Sequence, residues 1–211
     1  MESPVPKQFM LLAGRPVLMY SIEAFFAFDA GVKIVLVLPG DQLGTWDALC
    51  KEHNFTIRHE IVSGGKNRYE SVVSGLKSLS AEGLIGIHDG VRPLISPETI
   101  RSIYHEASEF GNAIPALRQD ESVRMLDCHG NHVVDRNTLR LIQTPQVFKA
   151  ELIKLAYTRE YDEHFTDDAT VVEASGIHIH LCEGQPGNLK ITRQEDLAVA
   201  EGVLEGRRIN L

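Results

Sequence analysis

The stretch Leu84-Ile-Gly-Ile-His-Asp-Gly-Val-Arg-Pro93 is a short apolar run that ends in polar residues and a turn. The apolar run predicts a buried strand that ends near Asp89, the pattern of a sheet covered on both faces. In an open parallel sheet, ligands bind beyond the carboxyl ends of the strands. A carboxylate, a glycine backbone and a guanidinium at that point suit a metal-bound phosphate ester. An ordinary turn is also compatible with these residues, because Asp-Gly and Arg-Pro are common in loops.

The segments around this stretch alternate between strand and helix patterns. Strands are predicted at 33–38, 56–62, 112–117, 143–148 and 178–182. Helices are predicted from Pro16, at 41–54 with Asp41 as cap, after Gly65, from Ser96, at 149–160, at 167–175 with Thr166 as cap, and after Thr192. Alternation of this kind predicts an α/β fold with a doubly wound, mostly parallel sheet.

One segment interrupts the alternation. Residues 122–127 and 132–135 alternate on either side of Cys128-His-Gly-Asn131, which predicts a β-hairpin. A two-stranded ribbon is marginally stable alone, so this hairpin must pack on something, and a second subunit is one candidate. We therefore expect a single domain over residues 1–211, with 113–140 as a protruding β-arm.

Composition limits the classes of partner. The chain has 211 residues, 43% of them hydrophobic, and a net charge of -8. That charge disfavours nucleic acid and anionic membrane surfaces, so small-molecule partners and a local cluster of cations are expected. The longest apolar runs, such as Ile34 to Leu38, are far shorter than the ~18 residues that span a bilayer, and Met-Glu-Ser-Pro is not a signal peptide. We expect a cytoplasmic protein.

The cysteines and two histidines give no clear site. Cys50, Cys128 and Cys182 are odd in number and far apart, so reduced structural thiols are expected. His178 and His180 would share one face of a strand and could chelate a metal. Without a third ligand nearby, we expect them to be surface residues.

Several charged residues lie at turns that directly follow a predicted strand or precede a helix. Each could be a solvated surface charge, and they are Lys7, Arg68, Asp89, Arg92, Arg136 and Lys190. Together, their cations suit phosphates and their one carboxylate suits a metal, which is the chemistry of nucleotidyl transfer. Gly64-Gly65 precedes a helix and can offer backbone N–H groups to an anion or a base edge, although a Gly-Gly pair is often only a turn.

The sequence resembles the 2-C-methyl-D-erythritol 4-phosphate cytidylyltransferase family over essentially its whole length. The matching motifs are Pro6-Lys-Gln8, Gly64-Gly-x-x-Arg68-x-x-Ser71-Val72, His88-Asp-Gly-Val-Arg-Pro93, Val134-Asp-Arg136, Gln143-Thr-Pro-Gln146, Thr166-Asp-Asp168 and Asn188-Leu-Lys-Ile-Thr192. The resemblance implies a Rossmann-like nucleotidyltransferase fold, CTP and methylerythritol phosphate as substrates, and Mg²⁺ as cofactor.

The resemblance also implies roles for individual residues. The nucleotide would contact Gly64, Gly65, Arg68, Ser71, Asp89 and Gly90, and Asp89 would be the metal ligand. Lys7 and Lys190 would act with Asp89 on the reacting phosphate. Arg92 and Thr144 would face the sugar phosphate, while Arg136 and Ser122 would reach it from the arm of the other subunit in a homodimer. Ser122 stands where the family usually has Thr, and both keep a hydroxyl donor.

The family begins with a buried strand and an Ala-Gly-Gly-x-Gly-x-Arg-Met loop around the triphosphate. This sequence has neither, and Met1 falls where the Met of that loop would be. We therefore expect that the natural protein extends upstream of Met1.

Three other functions compete with this interpretation. A ribitol 5-phosphate cytidylyltransferase would share the CTP site, but Val134-Asp-Arg136 favours methylerythritol phosphate. A non-catalytic nucleotide-binding or dimerisation module would have no use for Lys7 and Lys190 at a reacting phosphate. A dinucleotide-dependent oxidoreductase would need Gly-x-Gly-x-x-Gly after a strand, and the sequence has none.

Overall fold

The computed structural model describes residues 5–209, and side chains up to residue 206. The helices are α1 (Val17–Phe28), α2 (Leu43–Glu52), α3 (Arg68–Lys77), α4 (Pro97–Phe110), α5 (Ala150–Ala156), α6 (Asp168–Glu173) and α7 (Glu195–Ile209). The strands are β1 (Leu11–Leu12), β2 (Arg15–Pro16), β3 (Val35–Leu38), β4 (Glu60–Ser63), β5 (Leu84–Ile87), β6 (Asn112–Arg118), β7 (Val123–Asp127), β8 (Gly130–Val134), β9 (Arg140–Ile142), β10 (Gln146–Lys149) and β11 (Leu181–Glu183).

The central sheet has the order β11-β6-β10-β5, and β9 also pairs with β6. Strand β10 runs antiparallel to both β5 and β6, so those two strands are parallel to each other. Strand β11 is parallel to β6, and β3 is parallel to β4 in a separate pair. The predicted α/β fold with a mostly parallel sheet is confirmed, but the reversed direction of β10 was not predicted.

Helices cover both faces of the central sheet. On one face, Ile85, Ile114 and Phe148 pack in a buried cluster with residues of α3, α5 and α6. Their sequence neighbours on the same strands, such as Ala113 and Val147, pack on the other face with α4. Successive side chains of a strand point to opposite faces, so these short apolar strands are buried on both sides, as the apolar runs predicted.

Two smaller clusters fix the segments that surround the site. Trp46 of α2 is fully buried, stacks on Phe9 and donates a hydrogen bond to His59 Nε2 at 2.8 Å. Leu12, Leu94 and Ile191 pack in a separate buried cluster with residues of α1 and α7. These contacts hold the segment after Lys7 and the loop around Lys190 against the body of the protein.

Some predicted element ends are confirmed and others are wrong. Ser96 caps α4 by accepting from the Thr99 N–H at 3.2 Å. Thr166 does not cap the next predicted helix, because Asp167 caps α6 in a reciprocal capping box with Thr170. A carboxylate one residue further along the chain reaches the same free N–H groups.

The other differences have local causes. Pro16 ends β2, and α1 begins at Val17. The chain turns through a short 3₁₀ helix at Gly40–Gln42 before α2, and Asp41 makes no cap. Within the described residues, Thr192 does not accept a hydrogen bond from the start of α7 as a cap would. It donates its N–H and its hydroxyl to the carboxylate of Asp196. The predicted strand at 143–148 starts later than expected, as β10 at Gln146, directly after the cis peptide bond between Thr144 and Pro145.

The predicted hairpin arm is present as β7 and β8, which pair only with each other among the described strands. Its apolar side chains are strongly exposed, with Leu126 at 79% and Val133 at 73% of full exposure. A two-stranded ribbon with this much exposed apolar surface needs a packing partner to be stable.

A cavity of about 440 Å³ is lined by both β3 and β5, together with α1 and α3. Most of its wall is apolar, while Arg68, Ser71, Asp89 and Gly90 also line it. Within residues 5–209, the helices are all too short or too polar to cross a bilayer.

Candidate active site

The predicted site residues gather at one edge of the sheet because of strand direction. Asp89 follows β5, and Lys190 follows β11, which runs parallel to β6 and hence to β5. Thr144 precedes β10, whose first residue Gln146 pairs with Ile87 at the end of β5. Because β10 runs in the opposite direction, its beginning meets the ends of the parallel strands. This edge is where open α/β sheets bind ligands.

Asp89 lies between two cations. Its Oδ2 is 3.1 Å from Lys190 Nζ and 3.2 Å from Arg92 Nε. Burial favours the neutral carboxyl, but the charges and hydrogen bonds of Lys190 and Arg92 outweigh it, so the pKa of Asp89 is lowered. The carboxylate is therefore ionised at neutral pH. Its other oxygen, Oδ1, has no hydrogen-bond partner in the part of the chain that the structure describes.

The two loops that carry these cations are tied together through Asn188. Arg92 Nη1 donates to the main-chain carbonyl of Asn188 at 2.9 Å, and Asn188 Nδ2 donates to the carbonyl of Thr144 at 2.8 Å. The Ile191 N–H also donates to the Val91 carbonyl at 2.8 Å. A rigid frame of this kind holds Asp89, Arg92 and Lys190 in fixed relative positions.

Buried amides complete this frame, and the sequence patterns did not predict their role. Gln143 Nε2 donates to the Gln185 carbonyl, and its Oε1 accepts from the Gln185 N–H, both at 3.0 Å. Gln146 bridges the sheet to α6 by donating to Asp167 at 2.8 Å and accepting from the Ala169 N–H at 2.9 Å. The available signal was their position inside the Gln143-Thr-Pro-Gln146 motif, where two amides occur beside an apolar strand.

The Gly64-Gly65 turn packs closely against the start of α3. The Gly65 N–H donates to Ser71 Oγ at 3.2 Å, and Ser71 donates to the Asn67 carbonyl at 2.8 Å. A Cβ at Gly65 would lie 2.2 Å from the Cβ of Glu70, and a Cβ at Gly64 would lie 2.8 Å from Ser71 Oγ. Neither position has room for a side chain, so the glycines are required for this approach.

Arg68 forms a two-pronged ion pair with Asp168, which is fully buried. Nη1 lies 2.9 Å from Oδ1 and Nη2 lies 2.5 Å from Oδ2, while the Tyr157 hydroxyl donates to Oδ1 at 2.6 Å. Burial lowers the pKa of Arg68, but the hydrogen bonds and charge of Asp168 raise it by more, so the net shift is upward and the guanidinium is charged. Its orientation is fixed, and part of its charge is neutralised by Asp168.

Lys7 lies beside the cavity and is exposed. It begins a short 3₁₀ helix in which the next residue, Gln8, lines the cavity and the residue after that, Phe9, is buried. Within the described residues, Lys7 makes no ion pair, whereas Lys190 contacts Asp89. The role of Lys7 at the reacting phosphate remains a prediction.

Two predicted site residues are not brought to Asp89 within one chain. Ser122 and Arg136 are exposed residues at the base of the arm, and neither lines the cavity. The Arg136 guanidinium donates to the main-chain carbonyl of Asp120. Their contribution to a site in another subunit remains a prediction.

Of the metal ligands considered from the sequence, Asp89 and the pair His178 and His180, only Asp89 remains a candidate. Among residues 5–209, no cluster of three or more His, Cys, Asp or Glu side chains could hold a metal ion. His178 is exposed as expected, but His180 is half-buried, stacks on Phe110 and lies 2.9 Å from Glu106. The three cysteines are free, as expected, with Cys128 exposed and Cys182 buried.

Comparison with known proteins identifies the family of the chain. Residues 1–206 match the model of the family 2-C-methyl-D-erythritol 4-phosphate cytidylyltransferase, IspD. The enzyme of that name from Bacteroides fragilis is 48% identical over 204 residues, which cover 97% of this chain and 93% of that protein. The one from Bacteroides thetaiotaomicron is 46% identical with the same coverage.

Solved structures show the same fold. The 4-diphosphocytidyl-2C-methyl-D-erythritol synthase of Anaerococcus prevotii is 26% identical, with a TM-score of 0.83 and coverage of 97% of this chain and 92% of that chain. The cytidylyltransferase of Thermus thermophilus is 28% identical, with a TM-score of 0.79 and coverage of 95% and 94%. The chain therefore belongs to the 2-C-methyl-D-erythritol 4-phosphate cytidylyltransferase family.

Proposed function

We propose that this protein transfers the cytidylyl group of CTP to 2-C-methyl-D-erythritol 4-phosphate and releases pyrophosphate. Membership of the family supports this reaction. The observation that carries it is the contact of Asp89 with Lys190 and Arg92 at the ligand-binding edge of the sheet. One carboxylate among several cations is what two phosphate-bearing substrates and a bridging metal need.

In this reaction an oxygen of the sugar phosphate attacks the α-phosphorus of CTP, and the bond from that phosphorus to the pyrophosphate oxygen breaks. Negative charge grows on the α-phosphoryl oxygens as the two bonds exchange. Lys190 and Lys7 are the residues that we place against this charge, because an ammonium group stabilises it most where it develops. The side chains form no covalent intermediate, so their work is positioning and charge neutralisation.

Asp89 is the residue that would hold Mg²⁺. A magnesium ion commonly binds one or two carboxylates and completes its shell with substrate phosphates and water. Asp89 fits that pattern, since it is ionised and its Oδ1 has no partner among the described residues. When bound, the metal would withdraw negative charge from the triphosphate.

The Gly64-Gly65 turn is our candidate for the contact with the cytosine. Its backbone is exposed for close approach, because neither residue carries a side chain and Ser71 holds the turn against α3. Arg68 and Gly90 line the cavity together with Ser71, and we add them to the proposed nucleotide-binding set. The guanidinium of Arg68, fixed by Asp168, would contribute a cation that does not move.

The second substrate would lie on the Arg92 side of Asp89, beside Thr144. We propose that Arg136 and Ser122 of a second copy reach it there, so that the active protein is a homodimer joined through the arm. Support comes from the exposed apolar side chains of the arm, such as Leu126 and Val133.

Pyrophosphate release is the direct test of this function. The protein is incubated with CTP, Mg²⁺ and either methylerythritol phosphate or ribitol 5-phosphate, and pyrophosphate is measured with an enzyme-coupled assay. We expect release with methylerythritol phosphate and at most a few per cent of that rate with ribitol phosphate. Release with ribitol phosphate alone would overturn the choice of substrate, and release with neither acceptor would count against the function itself.

A further inference from the structure

His88 lies at the centre of the site but has no part in the reaction described above. It directly follows β5, and its ring packs edge-on against Phe25 of α1 with centroids 5.2 Å apart. Its Nδ1 is 3.2 Å from the hydroxyl of Thr144, and its Nε2 is 3.1 Å from the main-chain carbonyl of Arg92. Both ring nitrogens therefore contact the loops that carry the reactive groups.

The hydrogen bonds to Arg92 and Thr144 favour one arrangement of protons. The carbonyl of Arg92 can only accept, so Nε2 must carry the proton of the ring. The Asp89 N–H can only donate, and it donates to Thr144 Oγ1 at 3.0 Å. The single hydroxyl proton of Thr144 is then directed at Nδ1, which must be bare. A neutral imidazole with its proton on Nε2 has this pattern.

The bonds of His88 span a tight turn from one end to the other. The Arg92 N–H donates to the Asp89 carbonyl at 3.0 Å, which closes the turn from Asp89 to Arg92. We propose that His88 and Thr144 act as a clamp on this turn: Thr144 holds the amide of Asp89, and His88 holds both Thr144 and the carbonyl of Arg92. His88 is thus a positioning residue, which keeps the Asp89 carboxylate and the Arg92 guanidinium in register with Lys190.

The clamp changes what Thr144 can do for a substrate. Its one proton goes to His88 and one of its lone pairs takes the Asp89 N–H, so a single acceptor site remains. Thr144 is also buried, with 6% of its surface exposed. In this arrangement the hydroxyl of Thr144 therefore fixes Asp89, and one acceptor site remains for the substrate beside it.

Nuclear magnetic resonance tests the clamp without any substrate. If the clamp exists, ¹⁵N spectra of the His88 ring at pH 7 should show the proton on Nε2. Amide hydrogen exchange at Asp89 should be at least about tenfold faster in Thr144→Val, which keeps the shape but loses the hydroxyl, and close to wild type in Thr144→Ser. The amide of Phe148 in the central sheet serves as an unaffected control. A proton on Nδ1, or unchanged exchange at Asp89 in Thr144→Val, would overturn the proposal.

Two substitutions of His88 separate its two bonds. His88→Asn can still accept near the position of Nδ1, while His88→Gln can still donate near the position of Nε2. We expect faster exchange at Asp89 in His88→Gln and exchange close to wild type in His88→Asn. The opposite order would contradict the assignment of the two nitrogens. Both variants keep a polar side chain, so the comparison stands even where a larger change at this position prevents folding.

A kinetic test of the clamp rests on the proposed function, but failure of the clamp and failure of the function give different results. We expect Thr144→Val and His88→Gln each to lower kcat about 10- to 100-fold with a smaller change in KM, and Thr144→Ser to restore it. Because both residues act through one bond, the double variant should be no slower than the slower single variant. If the loss of kcat in the double variant equals the product of the two single losses, the clamp is refuted. An inactive wild type would refute the proposed function instead, while the exchange data would still decide on the clamp.

Discussion

Asp89 and the two cations beside it set the chemistry of the site at the scale of single residues. Lys190 and Arg92 both contact Oδ2, and they outweigh the burial that would otherwise neutralise the carboxyl. The same cations are the groups that a sugar phosphate or a triphosphate would meet. Asp89 thus orients both cations, and its Oδ1 has no hydrogen-bond partner among the described residues.

Replacing Asp89 by Asn should lower kcat by about 10²- to 10³-fold or more, because the amide keeps the shape but loses the charge that holds Mg²⁺. The fold should persist, which a thermal unfolding curve close to wild type would show. A variant with normal turnover at ordinary Mg²⁺ concentrations would remove Asp89 from the metal site.

Replacing Lys190 by Ala should reduce kcat about 10²-fold and change KM much less. Its charge matters most as negative charge grows on the α-phosphate. Steady-state kinetics with CTP as the varied substrate separate the two parameters. An effect confined to KM would show that Lys190 only binds the ground state.

The lowered pKa of Asp89 also predicts a pH dependence of stability. A carboxyl whose pKa is lower in the folded state stabilises the fold above its unfolded pKa of about 3.9 and loses that contribution as pH falls through its folded pKa. Lys190→Ala removes the largest favourable charge, so the pKa of Asp89 should rise in that variant. Carbon resonance titration of the Asp89 carboxyl measures it, and an unchanged pKa would contradict the ion pair.

At the scale of elements, the Gly64-Gly65 turn depends on the close approach of β4 and α3. Gly65→Ala should destabilise the fold by roughly 1–3 kcal/mol, because the new Cβ would overlap Glu70. Gly202→Ala is the matched control, since this glycine lies in α7 with open space around it and Ala favours helices by up to about 1 kcal/mol. Urea unfolding compares the two, and equal effects would show that the turn is not crowded.

The contrast between predicted and observed elements has physical causes. The apolar run before Asp89 and the cap at Ser96 are local signals, and both predicted their elements correctly. The direction of β10 depends on which strands it pairs with, and that pairing brings Thr144 to Asp89. The bond from Arg68 to Asp168 joins residues 100 positions apart, and no local pattern contains such a contact.

At the scale of the whole molecule, the body and the arm divide the predicted site. The sheet edge gathers Asp89, Arg92 and Lys190, whereas Arg136 lies on an arm that pairs only with itself among the described strands. An arm with exposed Leu126 and Val133 suits an apolar contact with a second copy.

Mixing two inactive variants tests the shared site. When Lys190→Ala and Arg136→Ala proteins exchange subunits, about half the dimers are mixed. If arms act on the partner, each mixed dimer has one intact site, so the pool should recover about a quarter of wild-type activity. If Arg136 instead acts in the site of its own chain, every site in the mixed dimer carries one of the two substitutions. No recovery after confirmed exchange would rule out sharing.

The most direct measurement follows labelled phosphorus from CTP into products. With CTP labelled at the α-phosphate, the label should appear in the diphosphocytidyl sugar product, and with CTP labelled at the γ-phosphate it should appear only in pyrophosphate. Asp89→Asn should abolish both signals. Transfer of the γ-label to the sugar phosphate would reveal a kinase, and failure of the α-label to reach methylerythritol phosphate would contradict cytidylyl transfer at this site.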